Sequence, residues 1–160
     1  MLEFGTANEE VNQYCKLAPF VFSINDDTDN QLSIDIALPA PTSKKTNYDN
    51  PTLNKMLSNA VPIAPNLSVI YRITFETYII YQCRNESYTC YDDTEIGKGK
   101  YLIVFEKSKL LDYYESVLFD FDTDSTKSQR KHYGIYTENH IIDVIANEPP
   151  TITRLNYDLS

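Results

Sequence analysis

Alternating apolar and polar positions over residues 17–39 predict two strands joined by a turn. Residues 17–25 form a mostly apolar run, and residues 31–39 alternate, with Leu32, Ile34, Ile36 and Leu38 on one face. The stretch between them, DDTDN, is rich in residues that favour turns. We therefore expect an antiparallel hairpin, because residues two apart line one face of a strand.

Residues 70–83 give the strongest strand pattern. Tyr71, Ile73 and Phe75 alternate with polar residues, and the alternation changes phase near Thr77. A β-bulge explains such a change, because one extra residue moves the apolar set to the other face. Apolar residues on both faces of 78–81 predict a central strand. Shorter strands are predicted at 100–107, 132–138 and 151–155.

Two segments have helical periodicity. Residues 51–61 carry Leu53, Met56, Leu57 and Ala60 on one face, with Asn50 as the cap. Residues 108–120 carry a second apolar stripe, with Ser108 placed to cap the first turn. Residues 139–146 fit a helix that Asn139 caps, but their β-branched content equally favours a strand.

These elements predict an α+β protein with a mainly antiparallel, curved sheet of about five to seven strands and two or three short helices. The 160 residues are expected to form a single domain. Residues 1–16 carry no predicted element, and the sequence leaves their order open.

The charge of the chain argues against nucleic acid as a direct partner. The net charge is -9, whereas nucleic-acid binders present a basic face to the phosphates. An acidic surface keeps a protein soluble, and it also suits a basic protein partner. Cys15, Cys83 and Cys90 form no CxxC pair, which favours a reducing cytoplasm. No apolar run is long enough to span a membrane, so a cytoplasmic protein is expected.

The two histidines are the candidates for catalysis. If residues 139–146 are helical, His140 and Asp143 share a face, and the carboxylate can orient the imidazole of a general base. His132 and Glu148 are the nearby additions, although such pairs are also ordinary surface contacts. No nucleophile motif accompanies them, so catalysis is the weaker hypothesis.

No metal site or cofactor is expected from the sequence. Zinc needs three or four ligands, so those beyond His132 and His140 would have to come from Asp143, Glu148 or a distant cysteine. The aspartates Asp120, Asp122 and Asp124 open like a calcium loop, but Ser125 and Lys131 stand where that loop needs Gly and Glu. Cys83 lies in an apolar run, where a buried thiol is inert.

Tyrosines are dense in the middle of the chain and provide candidates for a protein interface. Tyrosine combines apolar area with a hydrogen-bonding tip and is enriched in interfaces. The interface candidates are Tyr78, Tyr81, Tyr88, Tyr91 and Glu86.

Several pieces of the C-terminal 95 residues resemble a group of small, mostly uncharacterised bacterial proteins of Gram-positive genomes. The pieces are YRITFETYIIY (71–81), RNES (84–87), KSKLLDYY (107–114), KHYGI (131–135), NHIIDV (139–144) and EPP (148–150). The resemblance implies a bacterial origin and a single cytoplasmic domain, and it transfers no catalytic residue.

Three hypotheses for function follow. The first is a non-enzymatic protein-binding module of bacterial or phage origin, of an immunity or defence type, which docks a basic protein through an acidic, tyrosine-containing surface. The second is a small hydrolase that uses His140 with Asp143 or Glu148. The third is a structural, homo-oligomeric component, in which strands such as 70–83 pair with a second copy.

Overall fold

This computed structural model describes residues 2–4, 9–43, 48–117 and 130–155. Two α-helices are present among them, α1 (Pro51–Met56) and α2 (Lys109–Val117), with a π-helix at Glu9–Tyr14 and a 3₁₀ turn at Glu86–Tyr88. The strands are β1 (Leu2–Glu3), β2 (Phe20–Asp26), β3 (Leu32–Pro41), β4 (Ile63–Phe75), β5 (Ile80–Asn85), β6 (Ile96–Lys98), β7 (Leu102–Lys107), β8 (Lys131–Tyr136), β9 (His140–Ala146) and β10 (Thr151–Leu155).

The strands form two five-stranded antiparallel sheets. The first sheet has the order β1-β10-β4-β3-β2, and the second has the order β5-β9-β8-β7-β6. The predicted α+β class with mainly antiparallel strands is confirmed. The strands outnumber the five to seven expected, because β1 and β6 are very short and one long predicted strand is divided between the sheets.

A single buried apolar cluster joins the two sheets. It takes alternate residues from β3, β4 and β10 of the first sheet and from β7, β8 and β9 of the second. The ring of Tyr133 meets both Phe4 and Phe75 edge-on, with centroids 5.3 and 5.5 Å apart. We call the faces that meet in this cluster the inner faces. Each fully buried Ile or Leu contributes about 2 kcal/mol by its removal from water.

The predicted hairpin of residues 17–39 is present as β2 and β3. Leu32, Ile34 and Ile36 lie on the inner face and are fully buried, as their alternation predicts. Asn30 adopts a positive φ of 60° in the turn, a conformation that asparagine tolerates better than most residues. Strand β3 then continues to Pro41, where it pairs with the first residues of β4.

The chain passes from one sheet to the other between β4 and β5. Residues 76–79 make this passage, so the phase change near Thr77 is a crossing and the interpretation as a bulge is wrong. Among the described residues β5 pairs only with β9 and lies at the edge of its sheet, so the predicted central strand at 78–81 is also wrong. Strand β4 pairs with β3 and β10, and strand β5 pairs with β9, so both parts of residues 70–83 have partners within this chain.

Residues 86–95 cross the second sheet. They connect β5 to β6, and these two strands lie at opposite edges of that sheet. We call this segment the crossing loop. It runs over the outer face, because its Tyr91 lies beside Tyr136 (centroids 6.3 Å apart), which points away from the shared core.

The two predicted helices begin at their expected caps. The Asn50 side chain accepts hydrogen bonds from the backbone N–H groups of Thr52 and Leu53 at the start of α1. The Ser108 Oγ accepts from Leu111 N at 3.2 Å at the start of α2. Helix α2 buries Tyr114, whereas α1 buries none of its residues.

The N-terminal region contributes to the core where it is described. Phe4 and Val11 belong to the shared apolar cluster, and Asn12 binds the backbone of Tyr101 and Leu102 with its side-chain amide. Residues 118–129 lie outside the described residues, and with them the predicted end of α2 and the aspartate-rich loop.

Candidate functional site

Strand β9 separates the predicted catalytic pair. Residues 140–146 form a strand, so His140 and Asp143 lie three residues apart on opposite faces. The pairing of His140 with Asp143, which required a helix, is therefore wrong. His140 is partly buried on the inner side and Glu148 is exposed, so neither is brought to Asp143.

Asp143 instead meets His132 on the outer face of the second sheet. The Nε2 of His132 lies 3.1 Å from Oδ1 of Asp143, and its Nδ1 lies 2.9 Å from Oγ of Ser108. Phe105 stacks flat on the imidazole, with centroids 4.3 Å apart and planes at 12°. Sequence reasoning proposed His132 and Asp143 and assigned Ser108 only a capping role.

The Asp143 carboxylate is the centre of a polar cluster. Its Oδ2 accepts hydrogen bonds from Gln82 Nε2 at 2.9 Å and from Arg84 Nε at 3.0 Å, with Arg84 Nη2 at 2.8 Å. Burial alone raises the pKa of Asp143, but the hydrogen bonds from His132 and Gln82 and the charge of Arg84 hold that pKa below its usual value.

The hydrogen-bond directions in this cluster follow from donor and acceptor chemistry. An ionised Asp143 can only accept, so His132 Nε2 donates to it. In the neutral imidazole Nδ1 is then an acceptor, and the Ser108 hydroxyl donates to it while accepting from Leu111 N. Each polar side-chain atom of Ser108, His132 and Asp143 thus has a partner, which a buried polar network requires.

Serine, histidine and aspartate linked in this way also make up the catalytic triad of many hydrolases. In this protein all three side chains are buried, and the Ser108 residue is only 1% exposed. Its oxygen is also engaged in capping α2. The arrangement therefore fixes the start of α2 to β8 and β9 of the second sheet, and it does not present an open nucleophile.

The interface candidates fall into two places. Tyr78 and Tyr81 meet edge-on, with centroids 5.2 Å apart, and pack against the core at the edge of the second sheet. Tyr78 Oη donates to Asp26 at 2.8 Å, and this hydrogen bond raises the pKa of Tyr78. Tyr78 is thereby bound to the last residue of β2 and Tyr81 packs on its ring, so these two tyrosines are not primarily a free surface.

Glu86, Tyr88 and Tyr91 lie together on the crossing loop. Tyr88 is 89% exposed and Tyr91 is 77% exposed, so most of each ring faces solvent. The loop holds four carboxylates and no Lys or Arg. It is the one place where the structure brings three of the five candidates together.

Hydrogen bonds fix the crossing loop at both ends. The Asn85 side chain accepts from Ser87 N at 3.0 Å, and Thr89 N donates to Glu86 O at 2.9 Å. At the far end Asp92 accepts from Thr94 and pairs with the Lys109 ammonium. Its bonds to Lys109 and Thr94 lower the pKa of Asp92.

Glu95 ties the loop to helix α2. Its carboxylate accepts from the backbone N–H of Lys109 at 2.9 Å, which is the first residue of the helix. A negative charge is favourable at this end of a helix. The crossing loop is therefore held against α2, and its exposed rings stand on a fixed backbone.

A cavity of about 400 Å³ lies between the crossing loop and the sheet. Its walls include the rings of Tyr91, Tyr101, Phe105 and Tyr136. A second cavity of about 290 Å³ lies beside it under α2, and Arg84, Glu95 and Tyr136 line both. Gly134 lies on the same face, where a Cβ would come within 3.0 Å of both Phe105 and Tyr136. The missing side chain therefore leaves room for these rings.

Cys83 is exposed, because β5 is an edge strand, so its predicted burial is wrong. Partial burial still raises the pKa of its thiol. Within the described ranges, no group of three or more His, Cys, Asp or Glu side chains is placed to hold a metal ion. No helix in the same ranges has the length and apolar character of a membrane span.

Comparison with known proteins gives no relative: no family model, no curated protein and no solved structure matches this chain. The resemblance to small Gram-positive proteins stays a prediction. We therefore infer function from the geometry of the crossing loop and its surroundings.

Sequence reasoning missed the partners that surround this site. Gln82 and Arg84 alternate along β5 and so share a face, but their position opposite Asp143 depends on the β5–β9 register. Tyr101 and Tyr136 were assigned to strands without a role, and both line the cavity. The one usable signal was ESYTCYDDTE, in which acidic and aromatic residues occur close together without a basic residue.

Proposed function

We propose that this chain is a non-enzymatic protein-binding module that docks a basic protein through the crossing loop. An immunity or defence protein of bacterial or phage origin, acting in the cytoplasm, is the concrete form of this proposal. The observation that carries it is the exposure of Tyr88 and Tyr91 on a loop that hydrogen bonds fix at both ends.

A fixed backbone favours binding, because little conformational freedom is lost when the partner docks. Tyrosine adds a large contact area at a small cost in side-chain entropy, since it has only two χ angles. Interface positions that dominate affinity are enriched in tyrosine. Tyr88 and Tyr91 therefore suit the centre of an interface.

Charge supports a basic partner. The crossing loop carries Glu86, Asp92, Asp93 and Glu95, and the whole chain has a net charge of -9. Of the four loop carboxylates, Asp92 is neutralised by Lys109 and Glu95 is bound at the start of α2. Glu86 and Asp93 remain to attract a partner, and such attraction raises the association rate at low salt.

The test is capture of a partner from the native host with four forms of the protein as bait. The forms are wild type, a Tyr88→Ala/Tyr91→Ala double variant, Asp93→Lys, and Tyr14→Ala as a control of similar exposure elsewhere. We expect wild type and Tyr14→Ala to capture one stoichiometric basic protein, which is lost at high salt. Loss of two anchor rings costs about 3 kcal/mol, or roughly a 150-fold weaker Kd.

Equal capture by wild type and both crossing-loop variants would refute the proposal. Capture that does not change with salt would refute the electrostatic part of it. Circular dichroism of all four forms checks that the substitutions leave the fold intact.

A hydrolase is the second candidate, because Ser108, His132 and Asp143 form a hydrogen-bonded chain. The burial of Ser108 opposes it. A fluorophosphonate probe, which reacts with activated serines, decides between the two. Labelling of wild type but not of Ser108→Ala would favour the hydrolase, and we expect no labelling of either.

A homo-oligomer is the third candidate. Helix α1 and the residues after it expose Leu53, Met56, Leu57 and Val61, which is unusual for apolar side chains so close in sequence. Light scattering across a range of concentrations measures the mass directly. A dimer that Met56→Glu dissociates would support this candidate.

A further inference from the structure

The cavity beneath the crossing loop combines aromatic walls with acidic groups. Tyr91, Tyr101, Phe105 and Tyr136 supply the rings, and Glu86 and Glu138 supply carboxylates. Among the described residues, neither of these two carboxylates forms an ion pair. Both residues are exposed and therefore lie where the cavity meets solvent.

The cations that line the cavity are largely accounted for within the protein. Arg84 is paired with the buried carboxylate of Asp143. The Lys100 ammonium lies 4.4 Å from the centroid of the Tyr101 ring. Lys100 thus provides an internal example of a cation held against one of these rings.

We propose that this cavity receives an arginine side chain of the docking partner. The proposal rests on the proposed function and names the group that the partner inserts beside the crossing loop. A guanidinium is flat and stacks on aromatic rings, and it also binds carboxylates with two parallel hydrogen bonds. The aromatic walls of the cavity suit stacking of the guanidinium, and the carboxylates of Glu86 and Glu138 suit its hydrogen bonds.

Shape and charge both favour this occupant. A volume of about 400 Å³ is large enough for a whole arginine side chain. The methylene groups of that arginine can then lie against Ile103 and Ile141 on the cavity wall. An anionic ligand would meet Glu86 and Glu138 and is disfavoured. A neutral side chain would leave both carboxylates without a counter-charge in a partly dry interface, which costs affinity.

The experiment is an NMR titration with three short peptides that differ only in their central residue. The peptides are acetyl-Gly-Arg-Gly-amide, its lysine counterpart and its citrulline counterpart, which is nearly isosteric with arginine and neutral. The readout is the set of backbone amide shifts of the ¹⁵N-labelled protein. We expect the arginine peptide to shift the backbone amide signals of Tyr91, Tyr136 and Glu138. We expect the citrulline peptide to bind at least tenfold more weakly.

Two variants separate the cavity from general attraction to an acidic protein. Glu138→Gln removes a carboxylate from the cavity, and Asp29→Asn removes the same charge from the exposed β2–β3 turn. We expect Glu138→Gln to weaken arginine binding three- to tenfold and Asp29→Asn to leave it unchanged. Equal weakening by both variants would overturn the proposal.

Two further results would also overturn it. Citrulline binding as tight as arginine binding would exclude a charge-specific site. Arginine shifts centred on the β2–β3 turn would place the cation elsewhere. Such a failure is distinct from failure of the docking proposal, because the crossing-loop variants can still lose the captured partner when the small peptide does not bind.

Discussion

Replacement of Asp143 by asparagine tests the buried polar cluster in the most direct way. The amide is nearly isosteric with the carboxylate, so packing is preserved and only charge and one acceptor are lost. Its oxygen can take the place of Oδ2 and still accept from Gln82 and Arg84. Its NH₂ group must then face His132, whose Nε2 lies 3.1 Å from the present Oδ1.

The expected loss of stability is about 3 kcal/mol. Hydrogen bonds to a charged group contribute about 1.5–3 kcal/mol each, against about 0.5–1.5 kcal/mol for neutral ones, so three bonds each lose about 1 kcal/mol. The ion pair with Arg84 adds little beyond this, because 38% of the Arg84 side chain is exposed and solvent screens the attraction. For a chain of this size, 3 kcal/mol lowers Tm by roughly 6–12 °C.

Urea unfolding at pH 7 measures this loss, with Glu148→Gln as the control at an exposed carboxylate. The control should change the free energy of unfolding by less than about 0.5 kcal/mol. The imidazole ¹⁵N shifts of His132 provide a second readout, because an amide NH₂ facing Nε2 moves the ring proton to Nδ1. A loss below about 1 kcal/mol with an unchanged tautomer would refute the account of this cluster.

Three other predictions follow from the described contacts. The pKa of Asp143 is lowered in the folded protein, so its carboxylate contributes to the free energy of unfolding above the unfolded pKa of about 3.9, and this contribution is lost as pH falls through the folded pKa. The difference in unfolding free energy between wild type and Asp143→Asn should therefore narrow below about pH 4 in urea titrations, and a constant difference would contradict this. Asn139→Ala removes hydrogen bonds to both the N–H and the C=O of Val21 and should cost about 2 kcal/mol in urea unfolding, with faster hydrogen exchange at Val21, whereas Glu138→Gln next to it should cost nothing measurable. Gly99→Ala should lower Tm, since Gly99 has φ +126° and a Cβ there would collide with the Leu102 carbonyl. An unchanged Tm in a calorimetric scan would contradict the positive φ and the close approach at Gly99.

Local pattern was sufficient for elements whose partner is close in sequence. The β2–β3 hairpin and helix α2 with its Ser108 cap needed only alternation, helical spacing and turn residues. The crossing at residues 76–79 was misinterpreted, because a change of sheet and a bulge give the same shift of phase. For residues 139–146, β-branched content and helical spacing conflict, and pairing of β9 with both β5 and β8 decides for strand.

The candidate site depends on contacts between distant residues. Ser108 is 24 residues from His132, and Asp143 is 11 residues further on, so strand register decides that they meet. The acidic and aromatic composition of 86–95 is visible in the sequence. Its position across the sheet follows only from the order of strands, which places β5 and β6 at opposite edges.

Strand β10 has a consequence for how the protein forms during synthesis. It lies between β1 and β4, although 75 residues separate the end of β4 from its first residue. Until residues 151–155 leave the ribosome, β4 presents an unpaired edge that includes the apolar residues Ile70, Tyr71 and Ile73. An open apolar edge of this kind recruits other chains. The nascent protein is therefore vulnerable to aggregation, and dependent on chaperones, until β10 has emerged from the ribosome and paired with β4.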